Sequence, residues 1–368
     1  MRLRNIVIAT ALLAPTALSA QIGGETLGRG LNGTPSRVGT RGANFLEIGV
    51  GGRALALAGA YAAAANDLSA VYWNVAGIAD VQAASGFLSH EQLYGNSGLR
   101  NNFVAAALPF FGGVLGASFT SFTSGEILRT TEAWPDGGDP TFGSTVEWRA
   151  SAVGLHYGRL FTDRLAFGAT GKYASEGIQF ANAEYWGADV GLRFRTGLYG
   201  TTLGAVVANL GTRGRVEGAA VRRAVAPLRQ PAFPTQRTLD VDLNAGSNQL
   251  PTVLRFAVQT DLVGTAESAL GRNTGFHRVS VFSDITDGVD TEIMPAFAAE
   301  YAFRERIAFR VGKRFTRDAR TTGGRLHGFT TGAGVKIPVG SRRFLVDYAY
   351  RNFGDLESNH AFSFELSK

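Results

Sequence analysis

From about Arg164 to Lys368 the chain alternates apolar and polar residues one by one in short segments, and this period of two limits what it can fold into. In RLAFGATGKY (164 to 173), Leu165, Phe167, Ala169 and Tyr173 share one face, with Arg164, Thr170 and Lys172 on the other. In RIAFRVGKRF (306 to 315), Ile307, Phe309, Val311 and Phe315 oppose Arg306, Arg310 and Arg314. Successive side chains of a strand point to opposite faces, so such a strand separates two media. A soluble sandwich with its apolar face on a core and a transmembrane barrel with its apolar face on lipid both satisfy the pattern.

The N-terminus weighs on that choice. Arg2 and Arg4 precede an apolar run from Ile6 to Leu18 that ends in the small residues ALSA (17 to 20), the build of a secretory signal peptide. The run is shorter than the roughly 20 residues a spanning helix needs. There is no cysteine, which excludes a lipidated N-terminal Cys, a disulfide framework and any thiolate site. Export without disulfides fits a bacterial envelope protein. Gly (48) and Phe (25) are abundant, as expected where strands curve and pack closely and where aromatics form interfacial girdles. The net charge of +6 is modest and much of the Arg excess falls between Arg213 and Arg237, so no nucleic-acid partner is expected.

The expected organisation is a signal peptide over 1–20, a flexible Gly-rich segment over 21–44, a plug segment over 45–80 and an outer-membrane β-barrel over 81–368. Within the Ala-rich stretch, Asp67 is placed to cap a short helix from Ser69 to Val75 that Gly77 would end. Strands are expected at 81–90, 99–110, 114–123, 146–158, 164–176, 185–196, 201–210, 251–262, 277–284, 294–303, 306–315, 327–337, 342–351 and 360–367, which makes about 14, an even number as bacterial barrels require. Most connectors alternate, tight at one rim and long at the other, the long ones being 124–145, 211–250 and 316–326. The connector 263–276 is long where a tight one is expected, and 126–134 is compatible with a strand extension. The fold class is therefore all-β: a transmembrane antiparallel up-and-down barrel with a short, partly helical N-terminal plug, located in the bacterial outer membrane among its lipid and lipopolysaccharide.

Faces follow from the pleat. Trp186, Ala188, Val190, Leu192 and Phe194 should meet lipid, with Asp189, Arg193 and Arg195 in the lumen; Phe344, Val346, Tyr348 and Tyr350 should point out, with Asp347 and Arg351 in. A charge at mid-bilayer on the lipid face costs about 2–4 kcal/mol, which enforces this sorting. Arg255, Asp261, Arg310 and Glu365 are expected in the lumen, as interior ion pairs that fill the barrel in preference to a translocation path.

Chemical motifs are sparse. Gly49, Gly51 and Ala54 imitate a dinucleotide fingerprint, but no βαβ alternation follows. The histidines are scattered, and no nucleophile elbow or metalloprotease pattern occurs. The run Asp284, Asp287, Asp290, Glu292 lacks EF-hand spacing and reads as a solvated loop. No enzyme activity, cofactor or metal is expected.

The stretch FLEIGVGGRALALAGAYAAAANDLSAVYWNVAGIADV (45 to 81) resembles the N-terminal signature of the PorV/PorQ family of outer-membrane proteins, relatives of the FadL-type barrels. VVANLGT (206 to 212), LPTVLRFAV (250 to 258) and the closing segment from His327 to Leu366 extend the resemblance. It departs at Val75, where the family has proline, which makes the turn after Asn74 less rigid. The chain also ends in Ser367 and Lys368 instead of an aromatic, which leaves Phe362, Phe364 and Leu366 for recognition by the assembly machinery.

The resemblance implies a 14-stranded plugged barrel that is accessory to type IX secretion, with the translocon and secreted cargo proteins as partners. Trp134, Arg213, Arg215, Arg222 and Arg223, in the two longest loops, are then the candidate partner surface. The alternative is a FadL-like channel for a hydrophobic small molecule, with Leu55, Leu57, Tyr61, Tyr72 and Trp73 as pocket residues, and Asp67 and Asn74 as further plug and lumen candidates. For these residues the competing role is simple packing of the plug against the wall.

Overall fold

The computed structural model describes residues 39–140, 143–225, 239–271, 275–316 and 327–368. The expected signal peptide and most of the Gly-rich segment fall outside the described residues. Fourteen antiparallel strands close into a barrel: β1 Ser85–Gln92, β2 Arg100–Phe110, β3 Gly113–Thr123, β4 Trp148–Leu160, β5 Leu165–Ile178, β6 Ala181–Arg195, β7 Thr201–Gly211, β8 Val253–Val263, β9 His277–Gly288, β10 Met294–Phe303, β11 Ile307–Arg314, β12 Phe329–Val339, β13 Arg342–Asn352 and β14 Ser358–Ser367. Each pairs with its neighbours in chain order, and β14 closes on β1 with Leu88 opposite Phe364.

All fourteen expected strands are present. The first begins at Ser85 and not at 81, because 75–80 belong to a 3-10 turn of the plug; the sixth begins four residues early, at Ala181. Tight turns at 111–112, 161–164, 196–200, 304–306 and 340–341 make one rim, and the strand ends joined by the long connectors after Thr123, Gly211 and Arg314 lie at the other. The connector 264–276 does lie on the tight-turn rim, and its backbone folds back on β8 through Ala269 N–H to Asp261 O (2.9 Å) and Leu270 N–H to Leu262 O (3.0 Å). Of the possible strand extension at 126–134, only Ile127–Leu128 pairs, with Thr145–Val146.

The face assignments hold. Trp186 is 64% exposed and Phe309 57%, on the outer surface, whereas Asp189, Arg193, Arg310 and Asp347 are buried inside. Many inner polar groups pair: Lys172 Nζ lies 2.7 Å from Asp189, and Arg310 Nη1 donates to Asp347 at 2.6 Å. Of the four residues expected in lumen ion pairs only Arg310 makes one among the described residues; Asp261 accepts from Ser280 Oγ and Glu365 from the Leu68 N–H, because their closest donors across the strands and on the plug are neutral, and Arg255 faces Thr286. A bulge between β6 and β7 places Asn209 at φ 59°, where its N–H donates to Asp189 at 2.7 Å. Two residues expected in a solvated loop are buried instead: Asp284 points inward from β9 because it has the parity of Ser280 and Phe282, and Asp290 is tucked under the rim. Among the described residues no three such side chains come together to hold a cation.

The lumen is filled by residues 43–80. They form a 3-10 turn (Asn44–Glu47), two short helices, α1 Gly52–Ala56 and α2 Ala70–Trp73, and a second 3-10 turn (Val75–Asp80). A single turn of helix is not stable alone. These are held by burial: Leu55, Leu57, Leu68 and Ile78 are 0–1% exposed, each worth roughly 2 kcal/mol. The plug backbone comes so close that the wall must present glycine. A Cβ on Gly168 would lie 2.5 Å from the backbone of Val75, and one on Gly204 2.6 Å from the Ala62 carbonyl.

Candidate functional site

The plug is tied to the wall by polar contacts at its turns. The N–H groups of Gly51 and Gly52, which open α1, donate to Ser89 Oγ (3.0 Å) and Ser363 Oγ (2.9 Å). Gly51, one of the two glycines that imitate a dinucleotide fingerprint, therefore serves a wall serine. Arg53, on α1, reaches Glu300 of β10 through Nε (3.1 Å) and Nη2 (3.2 Å), and Glu300 also accepts from Arg278 and Arg310. Asp67 accepts from Tyr61 Oη at 2.6 Å and from Ser69 N–H at 2.9 Å, and Leu68 N–H donates to Glu365 at 3.0 Å.

Helix α2 is shorter than expected. It stops at Trp73, and Gly77 lies inside the next 3-10 turn, because Asn74 breaks the helix with φ −163° and caps that turn by accepting from Ala76 N–H at 3.2 Å. Its amide also donates to the carbonyls of Ala62 (2.7 Å) and Leu192 (3.0 Å). The rigidity missing at Val75 is thus supplied by the neighbouring side chain.

Between plug and wall, towards the long-loop rim, lies a cavity of about 200 Å³ lined by Glu47, Ile48, Leu55, Trp73, Leu93, Tyr94, Phe353, Asn359 and three arginines, Arg255, Arg314 and Arg351. A second, of about 40 Å³, lies across Ile48 and Arg255 and is bordered by Phe45, Tyr72, His156, Lys172 and Asp189. The smaller has room for little more than a water molecule. Of the expected pocket residues, Leu55 and Trp73 line the larger cavity and Tyr72 the smaller. Leu57, Tyr61, Asp67 and Asn74 line neither; all four are buried, and the three polar ones are taken up by the hydrogen bonds above.

The arginine cluster was not foreseen as a unit. Alternation marks Arg255, Arg314 and Arg351 as inward, but nothing in their spacing shows that they converge.

Glu47 is the acid among the described residues lining the larger cavity. Burial, then the nearby Asp290, push its carboxyl up from 4.5 to about 7, against the opposing pull of Arg255 and Arg314. A carboxyl whose pKa is higher in the folded state adds stability that is full below about 4.5 and is lost as pH rises through about 7. Melting temperature in detergent should therefore fall between pH 5 and 8 by more in the wild type than in Glu47→Gln. Equal slopes would show that Glu47 is ionised and solvated throughout.

The loop candidates are exposed: Trp134 in a turn with Thr131, Arg213 and Arg215 on a short strand paired with Ser247–Gln249, and Arg222 beside Asp242 at 3.2 Å. Arg223 lies in the ribbon Arg222–Val225, paired with Leu239–Asp242.

Fold and site together define a plugged transmembrane-type barrel with a closed lumen and a small, partly apolar, arginine-lined chamber. No protein-family model and no curated protein sequence matches the chain. Its fold is similar to that of solved barrels. These include the Ralstonia pickettii toluene transporter TbuX (TM-score 0.52, 10% identity, 86% of this chain and 97% of that one). The P. putida toluene transporter TodX (TM-score 0.50, 10% identity, 85% and 95%) and the monoaromatic hydrocarbon channel CymD (TM-score 0.50, 11% identity, 87% and 97%) are others.

Proposed function

We propose that this chain is an outer-membrane barrel, not an enzyme, that admits a small hydrophobic molecule through its lumen. The observation that carries this reading is the fold, similar over 97% of the length of a protein described as a toluene transporter. The larger cavity supports it, because Leu55, Trp73, Leu93 and Phe353 give an apolar lining and an apolar cavity of about 150 Å³ suffices for benzene. Lipopolysaccharide slows the entry of apolar solutes, so a channel has work to do in that membrane. The test is uptake of labelled toluene by cells with intact lipopolysaccharide, with and without the protein. Uptake should be several-fold faster with it; equal rates would overturn the reading.

A second reading, an accessory of type IX secretion similar to PorV/PorQ proteins, is favoured by the signature at 45–81 and by the exposed loop residues Trp134, Arg213, Arg215 and Arg222. It ranks below the channel reading because the fold likeness runs to hydrocarbon channels. If deletion of the gene blocked surface attachment of C-terminally tagged cargo while leaving toluene uptake intact, the order of the two readings would reverse.

A further inference from the structure

The larger cavity holds a buried guanidinium with unfilled hydrogen-bond donors, the acids nearest in its field being Glu47 of the same cavity and Asp284 of the wall. Arg255 is 6% exposed, and its Nε and Nη1 atoms are buried without a hydrogen-bond partner. Its guanidinium carbon lies 4.9 Å from the ring centroid of Trp73 and 5.4 Å from that of Tyr72, contacts that offer it π-faces in place of in-plane acceptors. Asp284 is a diagonal neighbour across the β8–β9 pair, since Arg255 faces Thr286 and Asp284 faces Ala257. Yet Asp284 Oδ2 is itself without a partner, so the two groups do not satisfy each other. The other arginines of the cavity are engaged: Arg314 Nε donates to Ala58 O at 3.0 Å, and Arg351 Nη1 to Glu91 at 3.0 Å. A buried charged donor left unpaired is costly, and a planar guanidinium fork matches a carboxylate in two parallel hydrogen bonds.

We propose that the cavity binds a small organic acid with a compact apolar body, its carboxylate on Arg255 and its body against Trp73, Leu55 and Leu93. The proposal rests on the channel reading for the route of access, and it replaces a neutral hydrocarbon by an anion as the favoured occupant. Size sets the limit on the body. A space of about 200 Å³ exceeds the roughly 150 Å³ that takes benzene, so an aromatic ring with one carboxylate fits and a long acyl chain does not. Trp73 does not compete for the carboxylate, because its indole N–H is already given to Val50 O at 2.8 Å. A neutral ring would fill the same space and leave Arg255 unpaired.

The experiment is calorimetric titration of the purified full chain in detergent micelles with benzoate, benzamide and inorganic phosphate. Benzoate should bind one per chain. Benzamide, equal in shape but neutral, should bind at least roughly tenfold more weakly, and phosphate, an anion without an apolar body, likewise. Arg255→Gln should weaken benzoate by roughly tenfold to a hundredfold. Because the benzoate and benzamide comparison uses the wild type alone, it stands even if the variant fails to fold. Absence of benzoate binding, equal binding of benzoate and benzamide, or a folded Arg255→Gln with unchanged affinity would overturn the proposal. Toluene uptake without benzoate binding would sink this inference and leave the channel reading standing; benzoate binding without protein-dependent uptake would do the reverse.

Discussion

Glu300→Ala is expected to loosen the plug and to lower the stability of the barrel by about 3–5 kcal/mol, read as a shift in the urea midpoint in micelles. Glu300 is 1% exposed and sits among Arg53, Arg278 and Arg310. Two of the three keep another acid when it is removed: Arg310 retains Asp347, and Arg278 retains Glu305 at the tight-turn rim. Arg53 does not. Its remaining contacts are the hydroxyl of Tyr61 at 3.2 Å and the side-chain oxygen of Asn66 at 2.8 Å, both neutral and both on the plug. The substitution therefore leaves a largely buried cation at the joint between α1 and β10, and the relief open to it is for the plug to move away from the wall. Breaking a buried pair by removing one partner costs more than the pair itself contributes. A change below about 1 kcal/mol would show that water reaches Arg53 and that α1 is not held electrostatically.

The barrel was legible because lipid and lumen impose opposite demands on alternate residues, so Phe167, Phe309, Lys172 and Asp347 each declare a face through local sequence alone. The plug was legible as a motif, from the run that ends in Tyr72, Trp73 and Asn74. Its internal geometry was less so: the stop at Trp73 depends on what Asn74 finds in the wall, the Leu192 carbonyl 118 positions away. The partners of Glu300 come from α1, β9 and β11, and the arginines of the cavity from β8, β11 and β13; only closure of the cylinder brings them together. Alternation says that a charge points inward and is silent on what it meets there. Asp284 was misplaced for a related reason, since a run of acids looks solvated until the strand is seen to continue through it. Glycine was ambiguous as well. Gly168 reads as a residue that eases curvature, whereas the backbone of Val75 against it shows a surface cleared for the plug.

In this structure the lumen is shut. Ala54, Leu55, Ala56 and Leu57 are 0–1% exposed and pack in one cluster with Phe87, Phe103 and Ala105 of the wall, so a solute that reaches the cavity beside Trp73 can go on only if the plug shifts. That requirement is open to a direct test, because the chain has no cysteine and a single introduced pair is unambiguous. An ideal Cβ on Gly312 of β11 stands 3.0 Å from that of Ala58 on the plug, inside the 3.5–4.5 Å span of a disulfide, and 2.8 Å from the Leu57 carbonyl carbon, so the plug backbone must draw back from β11 for the bond to form, and the reduced form of the same variant is the reference for its uptake. Toluene uptake by cells carrying Ala58→Cys with Gly312→Cys should be lost when the pair is oxidised and return on reduction. Uptake at the same rate in both redox states, with the bond verified by thiol titration, would contradict passage through the plugged lumen.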